Sequence, residues 1–180
     1  DSQIFTKVKT IALDDITADI SMQQRAEFYD HIISEYTEVL KGGGQLAPLK
    51  VIRDENDTLW LWDGFHTLEA AKRAGFPAIK AEISRGTRRE AWLKSLGANA
   101  KHGIRRSRED KRKAIRAALT DPEIQYSLMN EDGDHSLRSV AKLCNVHHRS
   151  IGRVWDDEIK PAIFQQIDDL LRFDLQEPPT

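Results

Sequence analysis

The sequence predicts an α+β chain in parts: a mixed strand-and-helix domain over residues 1–100, an all-helical part over 101–160, and a C-terminal helix with a frayed tail over 161–180. Three observations predict it. A β-prone aromatic run at 58–62 passes through Asp63 and Gly64 into a helical pattern that stops at Gly75-Phe76-Pro77. A cation-rich segment follows at 85–116. Two short apolar stripes, Leu137, Val140, Ala141 and Leu143, then Ile151, Val154 and Trp155, flank Cys144-Asn145-Val146 and read as helix, turn and helix.

In the first domain, residues 28–40 carry an amphipathic helical pattern, and 79–83 read as a strand. Residues 58–62 are short, aromatic or β-branched and bounded by Asp57 and Asp63, as a buried strand should be. Gly64 then permits a backbone conformation or a close approach that a Cβ would block. The first turn of the helix after it leaves backbone N–H groups outside the helical ladder, and with the helix dipole these suit a phosphate. His66 is expected at the mouth of that site, between Phe65 and Thr67. The same residues also fit an ordinary Asp-Gly turn with His66 as a half-buried side chain.

Composition points to a soluble cytoplasmic protein. Of 180 residues 31% are charged and 39% hydrophobic, and no apolar run is long enough to span a membrane. A single cysteine cannot form an internal disulfide, which suits a reducing compartment. The six histidines lack the spacing of a zinc site, and the loop at 131–135 lacks the ligand spacing of a calcium loop, so no metal site is expected.

The net charge of −2 conceals an uneven distribution. Residues 85–116 hold twelve Lys and Arg against three acidic side chains, a local +9, whereas residues 155–180 hold seven acidic against two basic, a local −5. Such asymmetry is the electrostatic footprint of a nucleic-acid binder, with the acidic tail repelled from the polyanion or covering the basic segment. A solvated helix face has the same composition. Within the segment, Ser107 followed by Asp110 and then by Ile115 and Leu119 reads as a capped helix start, and 99–106 is rich in donors suited to phosphate oxygens.

In the helical part, Ala141 lets the two short helices approach and Asn145 suits a left-handed turn between them. Cys144 reads as a core or turn residue, and His147 and His148, being adjacent, are expected to point in different directions. The stretch 161–173 has apolar residues at helical spacing with Pro161 in its first turn, and would cap the helical part or pair with a second copy.

The order of segments over residues 8–155 resembles the ParB family, whose N-terminal fold is shared with sulfiredoxin. Arg25 stands in the place of that family's early arginine. Residues 43–51, from Gly43-Gly44 through Pro48 to Val51, resemble the family's lead into a strand. Asp63-Gly64-Phe65-His66 followed by Leu68-Glu69-Ala70-Ala71 resembles the glycine-led box that wraps a nucleotide's phosphates, and 93–99 resembles the helix that carries the family's asparagine. The pattern at 136–155 resembles the helix-turn-helix that follows the N-terminal domain. The resemblance implies a ParB/sulfiredoxin-like domain with a small mixed sheet, then a helix-turn-helix domain. It further implies DNA binding in plasmid or chromosome partition or in transcriptional control, a nucleoside triphosphate with Mg at the glycine loop, a homodimer, and a partner ATPase. Gly64, Phe65, His66 and Thr67, with Asn99, His102, Arg105 and Arg106 at the junction, would hold nucleotide or phosphate. Because the second helix of a helix-turn-helix enters the major groove, His147, His148, Arg149, Ser150 and Arg153 are the DNA-contact candidates.

Departures bear on the chemistry. Phe65, His66 and Thr67 stand where nucleotide-hydrolysing ParB proteins carry paired arginines, and Ala98 stands where they carry a glutamate before the asparagine. The only cysteine is far from the loop that carries the reducing cysteine of sulfiredoxin, which excludes sulfinic acid reduction. The alternative reading is a nucleoside triphosphatase or nuclease of the same superfamily. Its candidates, Asp63, His66, Glu69 and Asn99, form no constellation in sequence, so no catalytic residue is assigned. A third reading is an adaptor with a vestigial loop.

Overall fold

The computed structural model describes residues 7–25, 29–98, 105–130 and 135–174, with side chains as far as residue 172 in the last helix. The chain divides into two units, Asp1–Asp110 and Lys111–Thr180.

The first unit is built on a five-stranded mixed sheet of order β1-β5-β3-β4-β2. Its strands are β1 (Lys7–Ala12), β2 (Ile16–Thr17), β3 (Leu49–Arg53), β4 (Leu59–Asp63) and β5 (Ala78–Arg85). The pairs β1/β5 and β3/β4 are antiparallel, and β3/β5 and β2/β4 are parallel. Alternation in sequence assigns the two faces, because successive side chains of a strand point to opposite sides. Leu49 and Val51 of β3 with Leu59 and Leu61 of β4 join Leu68, Ala71, Ala81 and Ile83 in one core, against which Leu40 also packs. Ile52, between them in register, faces the other side with Met22 and Ala91, where Trp60, Trp62, Phe65 and Trp92 pack half-buried.

Helices α1 (Asp30–Lys41) and α2 (Phe65–Arg73) pack on each other, and α3 (Arg88–Leu96) packs on β4 and β3. The helix predicted over 28–40 runs Asp30–Lys41 behind Tyr29, while residue 28 lies outside the described residues. Thr87 and Glu90 form a reciprocal capping box that starts α3, and Gly97 ends it. Residues 97 and 98 of the predicted 93–99 segment therefore stand beyond the helix, and Asn99 lies outside the described residues.

The described residues of the second unit form helices and the turns between them. Its members are α4 (Arg108–Leu119, whose first three residues belong to the first unit), α5 (Pro122–Met129), α6 (Leu137–Cys144), α7 (His148–Val154) and α8 (Lys160–Asp174), with a π-helical turn at Trp155–Ile159. Ser107 and Asp110 cap α4 reciprocally: Asp110 N–H donates to Ser107 Oγ at 3.0 Å, and Ser107 N–H to Asp110 Oδ2 at 2.8 Å. Ala114, Ile115, Ala118, Leu119, Ile124, Val140, Cys144, Ile151 and Val154 are buried. The Cys144 thiol donates to the Ala114 carbonyl at 3.6 Å, as a core residue rather than a reactive one. No helix among the described residues is long and apolar enough to cross a membrane.

Candidate phosphate loop and nucleic-acid face

The turn between β4 and α2 requires glycine on two counts. Gly64 caps α2 at φ 103°, ψ 24°, in the left-handed region, and a Cβ there would stand 2.7 Å from Leu49 Cδ2. No side chain caps the helix, and the ladder begins with Leu68 N–H donating to Gly64 O at 2.9 Å. The N–H groups of Phe65, His66 and Thr67 thus lie outside the ladder at a positive helix end.

The side chains of these three residues turn inward. Phe65 packs against both cores, and His66 and Thr67 are buried. His66 Nε2 accepts from Tyr29 N–H at 3.3 Å, with the rings stacked at 6.0 Å. An accepting Nε2 places the neutral ring's proton on Nδ1. Burial, and then the Arg25 charge, push the His66 pKa down, with Asp110 opposing. At neutral pH His66 is an uncharged interior residue.

Beside it lies a deeply buried ion pair. Arg25 Nη1 meets Asp110 Oδ2 at 2.9 Å, with side-chain exposures of 4% and 0%, and also donates to the Arg105 carbonyl at 3.3 Å. Arg25 N–H donates to Gln23 Oε1 at 2.9 Å, and Gln24 Nε2 donates to Ser21 O at 2.9 Å and Ser95 Oγ at 3.4 Å. The remaining amide atoms, Gln23 Nε2 and Gln24 Oε1, are buried and find no partner among the described residues. Arg106 keeps Nε and Nη2 shielded from solvent, whereas Arg105 is exposed. Asn99 and His102 lie outside the described residues.

The structure therefore brings His66, Arg25 and Asp110 into one buried polar neighbourhood, which Gln23 joins through the Arg25 backbone. Gln23, Gln24 and the pairing role of Asp110 were not singled out from sequence. Sequence carries no local signal for that pairing, because Arg25 and Asp110 stand 85 residues apart and Asp110 reads there as part of a helix start. Asp63 lies 4.0 Å from Lys50 Nζ, and Glu69 lies 3.5 Å from Arg73 Nε. Both carboxylates thus lie beside cations.

The second set of candidates surrounds the start of α7. Ser136 and Ser139 box the start of α6, and Asn145 ends it at φ 49°, ψ 56°. Val146 N–H returns to Ala141 O at 3.0 Å, which closes a tight turn at the small residue. His147 then caps α7, its Nδ1 accepting from Arg149 N–H at 3.3 Å. His147, His148, Arg149, Ser150 and Arg153 are all exposed, while Ile151 and Val154 on the opposite side are buried. The two histidine rings do not diverge as expected. Their centroids are 4.3 Å apart, because His147 is extended as the cap while His148 is already helical. Desolvation, then His147, Arg138 and Arg149, lower the His148 pKa.

Several cations of 85–116 have partners among the described residues. Arg88 pairs with Asp19, while Arg88, Arg89 and Lys94 lie over Trp60, Trp92 and Trp62. Arg112 and Arg116 both bind Glu158 of the acidic C-terminal segment, and these two arginines hold its carboxyl below the usual range.

A left-handed glycine that carries the end of a mixed-sheet strand into a helix, followed by a helical unit in which a tight turn joins two short capped helices, makes this an α+β protein. The model of the ParB N-terminal domain matches residues 2–100, and the chain belongs to that family. Among solved structures, a pNOB8-like ParB N-domain is 13% identical with a TM-score of 0.52, covering 99% of this chain and 82% of its own. The C-terminally truncated chromosome-partitioning protein ParB from Caulobacter crescentus, complexed to the centromeric parS site, is 11% identical with a TM-score of 0.52, covering 81% and 68%. Sulfiredoxin from Arabidopsis thaliana is 24% identical over 47% of this chain and 91% of its own, with a TM-score of 0.41. No curated protein matches the sequence.

Proposed function

We propose that this chain binds duplex DNA through α7, in partition of a plasmid or chromosome or in transcriptional control. The observation that carries the reading is the α6-turn-α7 geometry, with its apolar side buried and five polar side chains exposed around the start of α7. A helix presented this way offers its N-terminal side chains to base edges in the major groove, while neighbouring cations meet phosphates. His147 uses Nδ1 for the cap, so its neutral form projects an Nε2–H donor suited to acceptors such as guanine O6 and N7 or a phosphate oxygen. Family membership supports the reading, as does the parS complex of a chain with the same fold. Such work belongs in the cytoplasm, and the partition role would add a partner ATPase. Selection from a random duplex library tests it. The wild-type chain should enrich a defined sequence, and Arg149→Ala should lose the preference at one position. Enrichment of no sequence, or of the same sequence by Arg149→Ala, would contradict it.

We infer further that a nucleoside triphosphate with Mg would be held at the glycine loop by its backbone N–H groups. Gln23 Nε2 and Gln24 Oε1, a buried donor and acceptor without partners among the described residues, are further candidates to meet it. The fit in charge is poorer, because Asp110 already engages Arg25 and His66 is neutral. The bound nucleotide would supply an anionic, removable brace beside that ion pair. Calorimetric titration with each nucleoside triphosphate and Mg, with and without duplex DNA, checks this reading. Binding weakened in Gln23→Ala is expected, and no heat from any nucleotide would overturn it.

A further inference from the structure

We infer that the tryptophan patch of the first unit binds single-stranded DNA, with bases stacked on the indole rings and phosphates held by the cations beside them. The inference concerns a different unit and a different ligand from the duplex reading of α7, so either can fail alone. Trp60 and Trp62 alternate along β4 with the core residues Leu59 and Leu61, and so point to the sheet face on which Ile52 and Ala91 pack. There they stay half-buried, together with Trp92 of α3. The register of β3 and β4 slips at this place. Lys50 stands opposite Asp63 and Val51 opposite Leu61, which leaves Trp62 as the extra residue of a β-bulge. Bulges re-aim a side chain, and they recur next to active sites.

Each of the three indoles carries a cation. Lys50 and Lys94 Nζ lie 5.2 and 5.6 Å from the Trp62 ring centroid, while the guanidinium groups of Arg88 and Arg89 lie 5.3 and 4.7 Å from those of Trp60 and Trp92. An apolar patch rimmed by charge marks an interaction site, and its chemistry selects the occupant. Flat aromatic faces beside cations match a polymer in which flat bases alternate with anionic phosphates. Lys94 is exposed, so an entering base can take the ring face while the displaced ammonium group meets the flanking phosphate. A duplex hides its base faces in the stack, and an acidic peptide offers charge without bases. Beside Trp60, Asp54 Oδ2 accepts from Trp60 Nε1–H at 2.8 Å, and Asp19 pairs with Arg88. These carboxylates are engaged rather than set to receive a 2′-hydroxyl, so DNA is the strand that the patch suits.

Fluorescence anisotropy of a short labelled oligothymidylate, titrated with the full 180-residue chain at several salt concentrations, tests the patch. Saturable binding is expected, with quenching of tryptophan fluorescence as bases stack. Trp62→Ala should weaken binding roughly 5- to 150-fold, the loss of one stacked base, and Trp62→Phe should retain most of the affinity. Lys94→Ala, a change at an exposed side chain that spares the fold, should make the salt slope shallower by about 0.7. Oligouridylate should bind no tighter, and a glutamate peptide of equal charge should not compete. Absence of oligothymidylate binding at low salt, a Trp62→Ala titration or a Lys94→Ala salt series that superimposes on wild type, tighter binding of oligouridylate, or competition by the peptide would overturn the inference.

Discussion

Gly64 and Arg25 show how much of the first unit turns on single residues. A Cβ at position 64 would combine a left-handed backbone with a 2.7 Å approach to Leu49 Cδ2. The backbone alone makes Gly64→Ala cost roughly 1–2 kcal/mol, so an unfolding free energy lower by at least that amount is expected from urea titration. The Arg25–Asp110 pair is more demanding, because neither charge reaches water. Asp110→Asn leaves the guanidinium buried without its counter-charge, a loss of about 3–5 kcal/mol. Replacing both partners with apolar residues should cost less than that single change, and equal losses on denaturation would argue against the pair. His66 adds a pH dependence. Its folded-state pKa lies below the ordinary value, so as pH falls the unfolded chain takes up the proton first. The stability contributed by neutral His66 is present above about pH 6.5 and is lost as pH falls from there toward the folded-state value. His66→Gln should flatten that part of the stability curve, and an unchanged curve would assign the loss elsewhere.

At the level of elements, punctuation and alternation were legible and partnership was not. The glycine turn, the Ser107 and Asp110 helix start, the left-handed Asn145 and the alternating β4 run are local signals, and each appears where the sequence places it. His66 was read as the mouth of a phosphate site because its neighbours in sequence form a turn. Tyr29, 37 residues away in sequence, and Arg25 beyond it make it an interior residue, and no local pattern encodes that contact. The +9 segment reads as an electrostatic footprint by composition alone, while the contacts of its cations with Asp19, three tryptophans and Glu158 are set by residues distant in sequence. Asn145 offers a test of the turn itself. Asn145→Ala should destabilise the helical unit by roughly 1–2 kcal/mol, while Asn145→Gly should be nearly neutral in thermal melts, and the reverse order would contradict the left-handed assignment.

For the whole molecule, the family and the fold are those of a ParB N-terminal domain followed by a helical unit, and the proposed work is DNA binding through α7. Phosphate contacts release counterions, so the affinity should fall linearly on logarithmic axes with salt. The most direct measurement is fluorescence anisotropy of a labelled random-sequence duplex titrated with the wild-type chain, Arg149→Ala and Arg153→Ala at several salt concentrations. The DNA-binding reading predicts saturable wild-type binding that weakens steeply with salt, and a slope smaller by about 1 in whichever variant removes a phosphate contact. Absence of binding at low salt, or three superimposable titrations, would contradict it.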